Sequence, residues 1–288
     1  MVRHRMETIG SQQIWSYLGD SEELTATSNT AIRKSAGTFV SDYLDLARRM
    51  AALQFRNRDY VLMFRGQSGD HLNRSRNTTL KPTIARPSGS SRPDYVHRFE
   101  ILRRAEDLLV ERYSATGYQG VDRLRRQRIL RWAILQHYEV CPTPLLDVTH
   151  SLRIAASFAA DQDADQGYLF ALGLPNLSGA ITASAEAGLQ VVRLSSVCPP
   201  EAVRPQVQEG YLLGEYPDLD RAEQKNLYPA YEIDFGLRLI AKFRFEPRRF
   251  WPNSRNFPPV PRAALYPTSA DDPLRRMGDQ IRDLLPGF

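Results

Sequence analysis

An arginine directly follows a short apolar run in the first quarter of the sequence. Residues Tyr60 to Phe64 are aromatic or aliphatic, and Arg65, Gly66 and Gln67 come next. Such a run, closed by a glycine, is typical of a short buried strand. A buried guanidinium needs an anion, which is either an acidic side chain of the same fold or a bound phosphate or carboxylate. Because glycine permits close approach of a ligand, the run predicts an anion site or a structural ion pair.

A second polar cluster lies in the middle of the chain, where His137 precedes a segment that contains Asp147, Thr149 and Ser151. The last three residues alternate, so an extended chain places them on one face. Ser151 also stands where a helix begins, and backbone amides at a helix N-terminus attract anions. Helix capping alone would equally explain Asp147 and Ser151. His137 is either a titrating group beside this segment or a core imidazole bonded to backbone.

Length and composition indicate a soluble globular protein of 288 residues, with one large domain or two small ones. We expect no secretory signal and no membrane span, because no long apolar stretch occurs. Cys141 and Cys198 form no metal-ligand set or disulfide framework, so we expect a cytoplasmic protein with reduced thiols. The net charge of +5 is spread along the chain and only weakly indicates nucleic-acid binding.

Hydrophobic periodicity predicts the elements that position these clusters. Helices are expected over residues 38–56, 94–113, 121–138, 151–160 and 274–285. Strands are expected over residues 60–67, 145–149, 168–172, 189–194 and 232–245. Helices dominate the first half and strands the second, which predicts a single α+β domain. We place a polar extension at residues 1–37, the main domain at 38–250 and a proline-rich extension with a short terminal helix at 251–288.

Four ordered motifs resemble those of the FRG-domain family, which takes its name from Phe-Arg-Gly. The first is Phe64-Arg65-Gly66-Gln67, and the second is formed by Leu80, Pro82 and Arg86. The third runs from Gln136-His137-Tyr138 through Leu145-Leu146-Asp147-Val148-Thr149 to Ser151 and ends in Ala155, Phe158 and Ala159. The fourth is formed by Arg204, Gln208 and Gly210. The resemblance covers residues 38–245.

The sequence departs from the family pattern in the third motif. Glu139 replaces the usual glycine, Pro144 the usual arginine and Val148 the usual tryptophan, and one extra residue lies between Val140 and Thr143. These changes affect the shape expected for the pocket wall and leave the resemblance to the family intact.

The family is similar in motif order to ADP-ribosyltransferases, and this implies a fold and a chemistry. The implied fold is a single α+β domain with helices of the N-terminal half packed on a small, largely antiparallel split sheet. The implied cofactor is NAD, bound by Arg65, Gly66, Gln67, Thr149 and Ser151. Arg65 would hold the pyrophosphate in two parallel hydrogen bonds. Thr149 and Ser151 would orient the nicotinamide ribose.

The resemblance implies catalytic roles for Asp147, Gln208 and Glu209. His137 is a further catalytic candidate because it lies beside the Asp147 segment in the sequence. Gln208 stands where a carboxylate is expected, and an amide stabilises an oxocarbenium-like centre poorly. Asp147, Glu209 or Glu215 would then have to supply the negative charge.

Three functions remain open at this stage. The first is an NAD-dependent ADP-ribosyltransferase or NAD glycohydrolase, a bacterial toxin or antiphage defence effector, with a protein or nucleic acid as acceptor and an antitoxin or regulatory partner. The second is a non-catalytic module that senses a nucleotide or nucleic acid through the same pocket of Arg65, Gln67, His137, Asp147, Thr149, Ser151 and Gln208. In the third, Arg65 and Asp147 form a structural ion pair in an interaction protein.

Overall fold

The apolar run that carries Arg65 is strand β4, Val61–Gln67, in a computed structural model of the chain. The structure describes residue 9 and residues 12–87, 93–160, 165–176, 178–218, 221–227, 234–254 and 256–286. The chain forms two units, each built from three segments. The first unit comprises Met1–Leu80, Val148–Leu177 and Asp234–Arg262, and the second comprises Lys81–Asp147, Ser178–Ile233 and Ala263–Phe288.

The first unit is built around antiparallel strands. Its strands are β1 Ile14–Ser16, β2 Thr25–Thr27, β3 Thr38–Phe39, β4, β6 Gly167–Leu174 and β10 Leu239–Phe245. Its helices are α1 Asn29–Lys34, α2 Tyr43–Arg56, α6 Leu152–Ala159 and α10 Pro247–Asn253. Strand β6 lies between β4 and β10 and pairs antiparallel with both, whereas β3 pairs parallel with β10. Strand β5, Leu146–Thr149, contributes Thr149, which lies opposite Phe64 of β4.

The second unit combines a helical layer with three antiparallel strands. Its helices are α3 Tyr95–Ser114, α4 Val121–Arg126, α5 Arg128–His137, α7 Leu194–Val197, α8 Val203–Val207, α9 Ala222–Leu227 and α12 Pro273–Arg282, and α11 is Arg262–Leu265. Its strands β7 Ile181–Ser184, β8 Leu189–Arg193 and β9 Gly210–Glu215 pair in that order. Helix α3 packs against α4, α5 and α12 because its apolar residues recur at helical spacing: Phe99, Leu102, Ala105 and Leu109 are buried.

Two helix predictions were wrong in detail. Residues 38 and 39 form strand β3 instead of helix, and α2 begins only at Tyr43 because the Asp42 side chain accepts a hydrogen bond from the Asp45 amide at 2.9 Å. The helix expected over residues 121–138 is broken at Gln127, which is extended. The Arg131 guanidinium there donates to the carbonyls of Leu124 and Arg125, which satisfies the last carbonyls of α4 without a continuous helix.

The α+β class and the mostly antiparallel pairing are confirmed. Helices and strands occur in both halves of the chain, so the expected concentration of helices in the N-terminal half is not confirmed. The boundaries 1–37, 38–250 and 251–288 stay predictions. Among the described residues, no helix combines the length and the apolar character needed to cross a bilayer.

Candidate functional site

Arg65, Gly66 and Gln67 end strand β4 in the first unit, opposite Phe170, Leu169 and Tyr168 of β6. All three are partly exposed, whereas the preceding Leu62, Met63 and Phe64 are buried. The Gln67 side-chain oxygen is buried and has no hydrogen-bond partner in the described part of the chain. A buried acceptor of this kind favours a ligand or water that donates a hydrogen bond.

Gly66 is required by the close packing of helix α6 on β4. A Cβ atom at this position would lie 1.7 Å from the Ala155 carbonyl oxygen and 2.8 Å from the Ala159 amide nitrogen. The helix backbone therefore touches the strand at the glycine of the first motif, with the alanines of the third motif on the facing side. This contact explains the glycine without any ligand.

Thr149 and Ser151 form the turn that leads into α6. The buried Thr149 hydroxyl accepts a hydrogen bond from the Ser151 amide at 3.0 Å. Ser151 is the N-cap residue of α6, but its side chain makes no capping hydrogen bond. Thr149 therefore has a local structural role, and the capping explanation for the Ser151 hydroxyl is not supported.

Asp147 lies at the centre of a hydrogen-bonded group in the second unit. Its Oδ2 accepts from Gln136 Nε2 at 2.8 Å, and its Oδ1 lies 3.2 Å from His137 Nδ1. The His137 side chain is 1% exposed, whereas the Asp147 side chain is 32% exposed. Asp147 is thus held from its buried side and remains accessible on the other.

Two threonines fix the amide that supports Asp147. The Gln136 Oε1 atom accepts from the hydroxyls of Thr83 at 2.9 Å and Thr143 at 2.6 Å. These two hydrogen bonds fix the orientation of the Gln136 amide, so that its nitrogen points at Asp147. Gln136, Thr83 and Thr143 are site residues that the sequence patterns did not predict. The available signal was that Gln136 and Thr83 lie inside the third and second motifs.

His137 is neutral near physiological pH. Burial lowers the pKa of His137 below its ordinary value of 6.5, and the hydrogen bond to Asp147 opposes this effect only in part. The neutral ring therefore donates Nδ1–H to the carboxylate, and its Nε2 is buried without a partner in the described residues. Gly210 of the fourth motif lies against the ring. A Cβ atom at this position would be 3.1 Å from His137 Cε1.

Arg86 of the second motif brings a positive charge near Asp147. Its Nε donates to the Lys81 carbonyl at 2.9 Å. Desolvation lowers the pKa of Arg86, and the attraction of the nearby Asp147 carboxylate opposes this shift. The second and third motifs therefore meet around one carboxylate in this unit.

Gln208 and Glu209 have different surroundings from Asp147. Gln208 is buried, and its Nε2 donates to the Leu265 carbonyl at 2.6 Å. Glu209 is exposed and has a φ of +44°, in the left-handed region. Gln208 is thus engaged in a backbone contact with the C-terminal segment of the second unit.

The predicted site residues fall into two groups. Arg65, Gly66, Gln67, Thr149 and Ser151 belong to the first unit. His137, Asp147, Gln208 and Glu209 belong to the second unit, where His137 and Asp147 are in direct contact. The predicted pocket that combines both groups, and the roles assigned to its members, stay predictions.

The fold is of the α+β class, and the polar side chains described above come from short motifs that follow one another along the sequence. Residues 61–167 match the family model of the FRG domain, which is less than half of the chain. This stretch is therefore an FRG domain, in agreement with the motifs that the sequence carries. No curated protein and no solved structure matches the chain.

Proposed function

We propose that the chain is a nucleotide-processing enzyme that breaks the bond between nicotinamide and ribose in NAD, as an ADP-ribosyltransferase or an NAD glycohydrolase does. The single observation that supports this proposal is the setting of Asp147. Its carboxylate is hydrogen-bonded by Gln136 and His137 on one side and is 32% exposed on the other. An anion that is both fixed and accessible suits a reaction in which positive charge develops.

The chemistry assigns one role to each of these side chains. Nicotinamide leaves with the electron pair of the carbon–nitrogen bond, and the ribose acquires oxocarbenium character. Asp147 stabilises this positive charge, while Gln136 and neutral His137 keep the carboxylate in place. An acceptor, which is water in a glycohydrolase or a macromolecule in a transferase, then attacks the ribose carbon and releases its proton to solvent.

Asp147 is a better candidate for the anion than the residue at the position expected from the resemblance. The Gln208 side chain is buried and bonded to the Leu265 carbonyl, and it carries no charge. The role of Arg65 in binding the pyrophosphate, and a toxin or antiphage defence setting, rest on the resemblance alone.

The first experiment measures nicotinamide release from NAD by purified protein, with cell lysate as a source of acceptors. The Asp147→Asn variant preserves the size of the side chain, and His137 can change tautomer to accept from the new amide. We expect turnover to fall by roughly a hundredfold or more, as for loss of other groups that stabilise transition-state charge. Asp122→Asn, which changes an exposed carboxylate on α4, is the matched control and retains activity.

The other outcomes separate the rival functions. Unchanged turnover in Asp147→Asn would remove the proposed role of that carboxylate. An absence of turnover in the unmodified protein, combined with a rise in melting temperature on adding NAD, would replace the enzyme with a nucleotide-binding module. Arg65→Ala in the same two assays tests the predicted contact with the pyrophosphate.

A further inference from the structure

The segment Asp70–Thr79, here called the arginine loop, follows the first motif and is clamped at its base by a buried ion pair. Lys242 Nζ lies 2.6 Å from Asp70 Oδ2 and 2.8 Å from the Thr78 hydroxyl. The Lys242 side chain is 0% exposed and that of Asp70 11%. The Thr78 amide donates to the Arg33 carbonyl at 2.9 Å. Removal of one partner from such a buried pair would leave an uncompensated charge, so opening the base of the loop is unfavourable.

The tip of the arginine loop is also ordered by its own hydrogen bonds. The Asn73 side-chain oxygen accepts from the amides of Ser75 at 3.0 Å and Asn77 at 2.9 Å. The Asn73 amide donates to the Asn77 carbonyl at 2.9 Å, and the Arg76 amide donates to the Asn73 carbonyl at the same distance. A loop with fixed ends and a fixed tip loses little conformational entropy when it binds.

The ordered tip presents arginines that are not used within the fold. Arg74 and Arg76 are exposed, and neither side chain forms a hydrogen bond or an ion pair with the described part of the chain. Residues 71–77 contain no acidic side chain, and the one acid at the base, Asp70, is bonded to Lys242. His71 and Leu72 are exposed beside the arginines. Within the described residues, the tip is therefore an ordered patch of positive charge that no acidic side chain pairs with.

We propose that the arginine loop binds the phosphate backbone of nucleic acid. Arginine matches phosphate oxygens with two parallel hydrogen bonds. Arginine, serine and asparagine are among the side chains that contact phosphate in such complexes, and all three occur at this tip. The net charge of +5 of the chain acts in the same direction. This inference is independent of NAD cleavage and goes beyond the proposed function.

The test is fluorescence anisotropy of a labelled single-stranded oligonucleotide, titrated with protein over a series of salt concentrations and without NAD. We expect the double variant Arg74→Ala/Arg76→Ala to bind more weakly. Its plot of log affinity against log salt should be shallower by about 1.4, since each single-strand phosphate contact contributes ~0.7 to the slope.

Two further variants distinguish binding by the arginine loop from a general effect of positive charge on the protein. Arg48→Ala/Arg249→Ala removes the same charge from two exposed arginines of the first unit that already pair with Asp45 and Glu246, and it should bind like the unmodified protein. Asn73→Ala leaves the charge unchanged but removes the hydrogen bonds that order the tip, so it should weaken binding. Thermal melts verify that all variants are folded.

Three results would overturn the proposal. They are no binding by the unmodified protein, an equal loss in the Arg48→Ala/Arg249→Ala control, and equally strong competition by polyglutamate, which would indicate an acidic protein partner. None of these results bears on NAD cleavage, so failure here and failure of the proposed function are distinguishable.

Discussion

His137 is a base whose environment favours the neutral form. Desolvation is the largest effect on its pKa and lowers it, the nearby Arg204 charge lowers it further, and Asp147 and Glu139 act in the opposite direction. The unfolded chain therefore takes up a proton at this residue near pH 6.5, before the folded protein does. Folding stability contributed by neutral His137 is complete above pH 6.5 and is lost as the pH falls toward the lower pKa of the folded state.

Part of the loss of stability in acid is expected to come from His137. Between pH 6.5 and the folded-state pKa, one proton binds only to the unfolded chain, which lowers the free energy of unfolding by about 1.4 kcal/mol for each pH unit. His137→Gln removes the titrating group, so its unfolding free energy should fall less steeply over this interval. Urea unfolding at a series of pH values measures the difference. His97→Gln, at an exposed position on α3, should keep the unmodified slope, and a flattening there instead would contradict the assignment.

The contrast between Asp147 and Gln208 shows how much of a site is visible residue by residue. The motif resemblance placed both in a polar pocket, and the residue types distinguished them only as a charged carboxylate and a neutral amide. Asp147 keeps an exposed side and two supporting donors, whereas Gln208 donates to a backbone carbonyl contributed by Leu265. The environment of Gln208 depends on Leu265, which is distant in sequence. Local sequence patterns do not reveal such a partner.

At the scale of elements, the contact between β4 and α6 holds the first motif in place. The helix is made of small and apolar residues, and its alanine backbone lies on Gly66. The glycine therefore does not only suit a ligand, as the sequence alone allowed; it also permits two backbones to approach. The strand and the helix were both predicted from the sequence, but their close approach was not.

Substitution of Gly66 should destabilise the contact between β4 and α6. In Gly66→Ala the new methyl group would overlap backbone atoms of Ala155 and Ala159, which cannot rotate away. We expect a loss of about 3 kcal/mol or more in the free energy of unfolding, at the upper end of the range for overpacked interiors. Gly69→Ala is the matched control, because a Cβ at Gly69 meets nothing within 4 Å. Chemical denaturation of the two variants makes the comparison, and equal stabilities would show that α6 does not pack as described.

Hydrophobic periodicity predicted the type and approximate position of about half of the strands and helices. Strand β4, helix α3 and helix α12 lie close to where the pattern predicts them. Some errors occurred at ends and breaks, such as Asp42 and Gln127, where single side-chain hydrogen bonds decide whether a helix starts or stops. Other elements, such as β7 and β9, were not predicted. Strand β3 was missed because it has only two residues, which is too short for an alternating pattern.

At the scale of the whole chain, each unit is assembled from segments that are far apart in sequence. In the second unit the C-terminal segment reaches the end of α5 through Asp272, which is fully buried. Its carboxylate accepts from the Tyr138 hydroxyl at 2.9 Å and the Arg204 amide at 2.8 Å. It also caps α12 by accepting from the amides of Leu274 and Arg275. The C-terminal segment therefore contributes a buried carboxylate to this unit.

Removal of this carboxylate is the whole-molecule prediction. Asp272→Ala leaves buried donors of Tyr138 and Arg204 without an acceptor and removes the α12 N-cap. Loss of a cap costs about 1 kcal/mol and each of the two unsatisfied buried donors about 1–3 kcal/mol, so we expect a loss of about 3 kcal/mol or more in the free energy of unfolding. The neighbouring Asp271 is exposed, and Asp271→Ala should change stability little. Urea unfolding distinguishes the two, and a small effect at Asp272 would mean that the segment is not held through this residue.

Sequence patterns were sufficient to predict the α+β class, the position of about half of the strands and helices, and the FRG domain over residues 61–167, because periodicity and short ordered motifs are local properties. The tertiary structure alone decided which side chains meet: Asp147 with Gln136 and His137, Lys242 with Asp70, and Asp272 with Tyr138. The last two pairs join residues more than a hundred positions apart, and such contacts depend on how the elements pack. Burial, which sets the pKa of His137 and separates Asp147 from Gln208, follows from the same packing.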